Sequence, residues 1–106
     1  MINNNILGLI GLAMKAGKIA FGADSVEESI LQRKVKLVIV SEESSERTKS
    51  KFIKLCQNYN IPIIIDGNID DLSKTIGKSN KAVIGIKDIN FANSIQKKYD
   101  GGDIIG

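Results

Sequence analysis

The chain has 106 residues, enough for one folded core and too few for two. Hydrophobic residues make up 42% and charged residues 25%, the balance of an ordinary globular protein, and no apolar run approaches the ~20 residues that cross a membrane. Histidine is absent and cysteine occurs once, which excludes Ser-His-Asp triads, the usual zinc sites and an intrachain disulfide; a net charge of +3 does not by itself demand a nucleic acid.

The opening Met1-Ile-Asn-Asn-Asn lacks the basic start of a secretory signal, so a cytoplasmic location is expected. Ile6, Ile10, Ala13 and Met14 then recur at helical spacing until Gly17 ends the run. A short strand over residues 19–21 follows. Asp24, with Glu27 three residues on, reads as the N-cap of a helix reaching about Lys34, whose apolar face is Val26, Ile30 and Leu31. Leu37-Val-Ile-Val40 is a continuous β-branched run, as expected of a strand buried on both faces.

A helix from about Ser45 to Asn58 buries Phe52, Ile53, Cys56 and Tyr59, with Cys56 as a small core hydrophobe rather than a nucleophile, there being no histidine to activate it. Pro62 fixes an extended entry into strand 63–65. Ile69, Leu72 and Ile76 stripe a short helix, residues 82–86 form a fourth strand, and Phe91, Ala92 and Ile95 stripe a last helix. Strands alternating with helices imply an α/β fold, a three-layer α/β/α sandwich on a small four-stranded mixed sheet. Residues 1–99 read as one domain and 100–106 as a flexible tail.

The segment Lys15-Ala-Gly-Lys18-Ile-Ala-Phe-Gly22-Ala-Asp24-Ser25-Val26 admits two readings. Gly17 and Gly22 can be a helix C-cap and a turn of purely local importance. They can equally bring backbone, two lysines and the unpaired N–H groups of a helix start against a phosphate-bearing ligand. Gly77-Lys78-Ser79 is not a nucleotide-binding loop, because that motif needs a glycine five residues before Gly77 and Leu72 stands there. The glycines at 8, 11, 17 and 22 lack dinucleotide-fingerprint spacing.

The order of these pieces decides between the readings. Gly8 to Lys18, Gly22-x-Asp24-x-Val26, Lys36 to Glu43, Ile61-Pro62, Ile76-Gly77-Lys78, Ala82 to Ile86 and Asn90-Phe91-Ala92-Asn93 together resemble the kink-turn-binding ribosomal-protein superfamily, and within it the small bacterial YlxQ branch. The resemblance covers residues 6–98. It implies an RNA-binding domain, not an enzyme, that needs no metal or cofactor. Gly22, Asp24 and Ser25 would read tandem sheared G·A pairs, Lys15 and Lys18 would lie near phosphates, and Gly77, Lys78, Ser79, Asn80 and Lys81 would form a loop against the flipped-out nucleotide.

Two departures matter. Asp24-Ser25 replaces the Asn-Glu of better-known members, and Glu28 stands where a lysine is common, so a carboxylate faces approaching phosphate. The partner implied is kink-turn RNA in rRNA or an mRNA leader, bound by a monomer with possible ribosome association. The alternative is a protein-interaction module on the same fold that has abandoned RNA, favoured by the modest net charge and Glu28.

Overall fold

The structure is a computed structural model and describes residues 1–101. Five helices and four strands alternate: α1 (Asn4–Lys15), β1 (Ile19–Phe21), α2 (Ala23–Leu31), β2 (Leu37–Val40), α3 (Glu46–Tyr59), β3 (Ile63–Ile65), α4 (Ile69–Thr75), β4 (Val83–Ile86) and α5 (Ile89–Gly101). The strands form one mixed sheet in the order β1-β4-β2-β3; β2 and β3 run parallel, and β4 runs antiparallel to both β1 and β2. The expected α/β/α sandwich is therefore the fold observed. Among the described residues no helix is long and apolar enough to cross a membrane.

Period-two alternation sorts the buried strand residues onto two cores. Leu37, Ile39, Ile84 and Ile86 face α1, α4 and α5 through Ile6, Ile10, Leu72 and Ile95, whereas Val38, Val40 and Val83 face α2 and α3 through Val26, Ile30, Phe52 and Cys56. All four residues of β2 are buried, as the unbroken apolar run predicts. Burial pushes the Cys56 thiol up to about 11, so this side chain behaves as a core hydrophobe. Gly85 lets α2 lie close to the sheet, since a Cβ there would stand 3.3 Å from methyls of both Val26 and Val35.

Three expectations need correction. Asp24 is not the N-cap of α2: Gly22 takes that place at φ 88°, ψ 146°, its carbonyl accepts the Val26 N–H at 3.0 Å, and Asp24 is already inside the first turn. Glu27 does not reach back to a cap; it pairs with Lys51 of α3 at 2.7 Å. The same helix stops at Leu31 rather than near Lys34, because Arg33 turns left-handed at φ 60°. The expected tail at 100–106 lies outside the described residues from 102 onward, while Asp100 and Gly101 close α5. The preceding Tyr99 hydroxyl anchors that helix by donating to Asp66 Oδ2 at 2.9 Å.

Candidate functional site

Antiparallel pairing of β1 with β4 decides which loops meet. Phe21 lies opposite Ile84, and the Gly22 N–H donates to the Val83 carbonyl at 2.9 Å, so the turn that leaves β1 is locked to the loop that enters β4. Gly22 occupies a backbone region open almost only to glycine, and no atom would obstruct a Cβ there; the requirement is conformational, not steric.

The facing loop is equally fixed. Gly77 ends α4 at φ 70°, and Asn80 turns left-handed at φ 55°. Buried Ser73 holds the far side of the loop through both backbone groups of Lys81, accepting its N–H at 2.7 Å and donating to its carbonyl at 3.2 Å. The two loops then touch through side chains: the ammonium groups of Lys78 and Lys81 sit 5.1 and 5.8 Å from the centroid of the Phe21 ring. Cation–π attraction keeps both cations beside the Gly22 turn, where Ala23 to Val26 open α2.

Between the loops lies a cleft of about 380 Å³ bordered by Gly22, Asn80, Lys81, Glu43, Ser44 and Thr48. Ser44 Oγ is the one buried side-chain polar atom without a hydrogen-bond partner among the described residues. Glu43 is partly committed, because its Oε1 accepts the Ile69 N–H at 2.9 Å and so helps start α4. Asp24, Ser25, Lys78, Ser79 and Asn80 are exposed, and the Asp24 side chain has no hydrogen bond or ion pair among the described residues. Glu28, one turn further along α2, is exposed and accepts a long hydrogen bond of 3.5 Å from Gln32. Chemically, the arrangement offers cations for phosphate, a helix start with a carboxylate and a hydroxyl for donors, and an aromatic ring beneath the cations.

Not every expected residue is brought there. Lys18 precedes β1, and its carbonyl accepts the Lys87 N–H at 2.8 Å at the far end of the sheet. The three residues of β1 lie between it and Gly22, and those four residue steps span roughly 13 Å. Lys15 borders a groove between α1 and α4 with Lys74 and Gly77, beside the loop but away from α2. Conversely, Phe21, Ser44 and Ser73 escaped the reading of the sequence. An aromatic immediately before a glycine turn was a usable signal for Phe21; the roles of Ser44 and Ser73 arise from contacts between distant segments and leave no local pattern.

The comparisons with known proteins agree with this architecture. Residues 4–96 match the model of the Ribosomal protein L7Ae/L30e/S12e/Gadd45 family. The chain is 33% identical over 92 residues to the RNA-binding protein YlxQ of Bacillus subtilis, covering 87% of this chain and 92% of that one. It is 35% identical over 95 residues to the RNA-binding protein YlxQ of Enterococcus faecium, covering 90% and 91%. A solved structure of a Bacillus halodurans protein of unknown function superposes with a TM-score of 0.89 at 34% identity, covering 92% of this chain and 99% of that one. The Giardia lamblia 15.5kD RNA binding protein shares the fold with a TM-score of 0.77 at 18% identity, covering 95% and 92%. Matched along nearly its whole described length, the chain belongs to the L7Ae/L30e/S12e/Gadd45 ribosomal-protein family, on its YlxQ-like branch.

Proposed function

We propose that this protein binds RNA, and that it recognises a kink-turn in rRNA or an mRNA leader without catalysing a reaction. The observation that carries the reading is the junction of two loops, in which Lys78 and Lys81 stack over Phe21 beside the glycine-opened start of α2. A kink splays bases and widens a groove, so a helix start and short polar side chains reach base edges that a regular A-form helix hides. Asp24 and Ser25 are the base-reading pair, Lys78 and Lys81 the phosphate contacts, and Ser79 with Asn80 the loop tip that packs on the extruded nucleotide. Gly22 and Gly77 give both loops their shape. Lys15 serves only an RNA long enough to reach the α1–α4 groove. The RNA-binding relatives named above support the polymer; ribosome association and action as a monomer in the cytoplasm follow from the same reading.

The test compares an RNA carrying tandem G·A pairs at a kink with one in which those pairs are made Watson–Crick. Preference for the first is expected, and equal affinity for both sinks the kink-turn claim while leaving general RNA binding standing. Asp24→Ala sharpens the test: because Gly22 caps α2, this variant costs the fold only a helix-dipole term of about 0.3–1 kcal/mol. Its effect therefore falls on RNA affinity more than on the thermal melt.

A further inference from the structure

The opposite end of the sheet carries a second concave site. A cleft of about 410 Å³, within the roughly 300–1,000 Å³ of small-molecule sites, opens between the ends of α2 and α3 and the start of α5. Arg33, Lys36, Tyr59, Asn60, Asn93 and Gln96 contribute to its wall. The Arg33 guanidinium lies 5.1 Å from the centroid of the Tyr59 ring, a cation held on an aromatic face at the cleft's edge. The side-chain amides of Asn60, Asn93 and Gln96 have no hydrogen-bond partner among the described residues. Each amide offers a donor and an acceptor side by side, the pattern that base edges also present.

Arg33 is the wrong residue for its backbone. Four helices end with the same six-residue closure: the N–H groups of Lys18, Lys34, Ile61 and Lys78 donate to the carbonyls of Ala13, Ser29, Cys56 and Ser73 at 2.9–3.0 Å. The left-handed position in each is Gly17, Arg33, Asn60 and Gly77. Glycine and asparagine suit it, whereas a long side chain at φ 60° is strained. The one helix end that departs from this preference places a guanidinium on Tyr59.

The surroundings are basic. Backbone pairing sets Lys18, Lys87 and Lys36 in a row across this end of the sheet, through the Lys87 N–H on the Lys18 carbonyl at 2.8 Å and the Lys36 N–H on the Ile86 carbonyl at 2.7 Å. Lys34 adds a further exposed cation. The acid beside this row, Asp88, is engaged in capping α5, its Oδ2 accepting the Phe91 N–H at 2.9 Å. The lysine row suits phosphates, while an aromatic ring with three open amides suits a base.

We infer that this end of the sheet is a second RNA site, distinct from the kink-reading end, which holds an unpaired nucleotide in the Tyr59 cleft with its flanking phosphates on Arg33, Lys36 and the adjoining lysine row. The inference rests on the proposed function only for RNA as the polymer; it needs no kink. The experiment measures the affinity of the full chain for two probes separately: a kinked duplex, and single-stranded oligo(A) or oligo(U) of about six nucleotides, a length within the usual site size for such strands. The variant is Arg33→Gly with Lys36→Gln, which relaxes the strained backbone and so keeps the fold. The double variant loses about tenfold for the single strand, as expected for a base contact and its phosphates, and stays within about twofold for the kinked duplex. Backbone and side-chain amide resonances of Asn93 and Gln96 move when the hexamer is added to the unaltered protein. No hexamer binding, an unchanged affinity in the double variant, or shifts confined to Gly22 and residues 78–81 would each overturn the inference. Hexamer binding without kinked-duplex binding would support it and overturn the proposed kink-turn reading alone.

Discussion

At one end of the sheet, Glu42, Glu43 and Asp66 follow β2 and β3, Asp24 opens α2, and Asp70 and Asp71 open α4; Lys78 and Lys81 stand against them on a single aromatic ring. At the other end Lys18, Lys36 and Lys87 lie side by side with Arg33 and Lys34 close by, opposed by an Asp88 already engaged as a cap. The first end is shaped by glycines and holds its few cations in place; the second gathers many cations around the helix closures at Gly17, Arg33 and Asn60. A net charge of +3 hides this polarity. A mixed field with fixed geometry discriminates among RNA shapes, because acids punish misplaced phosphates, whereas a basic row attracts any phosphate chain.

The largest expected effect attacks the geometry of the glycine end. Gly22→Ala forces a Cβ onto a backbone at φ 88° and should cost about 1–3 kcal/mol, read as a lower thermal midpoint and weaker kinked-RNA binding. A melt indistinguishable from the parent would mean that the turn relaxes freely and the contrast between the ends is only one of charge. Next comes the double variant Lys78→Ala with Lys81→Ala, which leaves the fold intact and removes two phosphate contacts. Kinked-RNA affinity should fall about tenfold, and the log–log salt slope should shrink by roughly 1.5. An unchanged slope would place the phosphates elsewhere, the lysine end being the first candidate.

A smaller effect concerns pH. Burial raises the Asp66 carboxyl, but the Tyr99 hydroxyl and the Gly67 N–H, at 2.9 and 2.7 Å, together with the N-terminal ammonium at 3.5 Å, outweigh it and hold the group below its ordinary 3.8. Its stabilising contribution is thus fully present above the unfolded value and fades as pH falls through the folded one. Tyr99, pushed up to about 12 by burial and by Asp66, contributes below its unfolded value near 10 and loses that contribution as pH rises through 12. Tyr99→Phe should cost about 1 kcal/mol at neutral pH and should flatten the stability profile at both extremes. An unaltered acid limb would show that Asp66 draws nothing from α5. The smallest effect is Glu28→Lys, which removes one repulsion from the glycine end and should tighten kinked RNA by up to about 1 kcal/mol after screening while leaving the melt nearly unchanged.

Most of the architecture was legible because burial writes period into sequence. The run at 37–40, the stripes at 6, 10 and 13, and Pro62 ahead of β3 each state their element locally. What stayed hidden depends on contacts between distant segments. Lys18 and Gly22 look like neighbours in the sequence, yet an extended strand between them sends them to opposite ends of the sheet, and only the pairing with β4 reveals it. Phe21 gains its meaning from lysines 57 and 60 positions later. The sequence marks Asp24 as the cap and Gly22 as a turn, and the Val83 carbonyl, which takes the Gly22 N–H, sets the glycine at the start of α2 instead. Tyr99 keeps α5 helical to Gly101 through a partner 33 residues earlier in the chain.

The position of β4 bears on how the chain can be made. Among the described residues it is the last strand in sequence but an inner one in space, lying between β1 and β2 and supplying the Val83 carbonyl that fixes the Gly22 turn. During synthesis β2 and β3 can pair as soon as both have emerged, whereas β1 must wait without a partner until residue 86 is clear of the exit tunnel. Closing that long loop is slow relative to local helix formation. The Gly22 turn therefore takes its shape only after β4 has joined the sheet, and a nascent chain still lacking residues 83–86 does not present that end in its folded form.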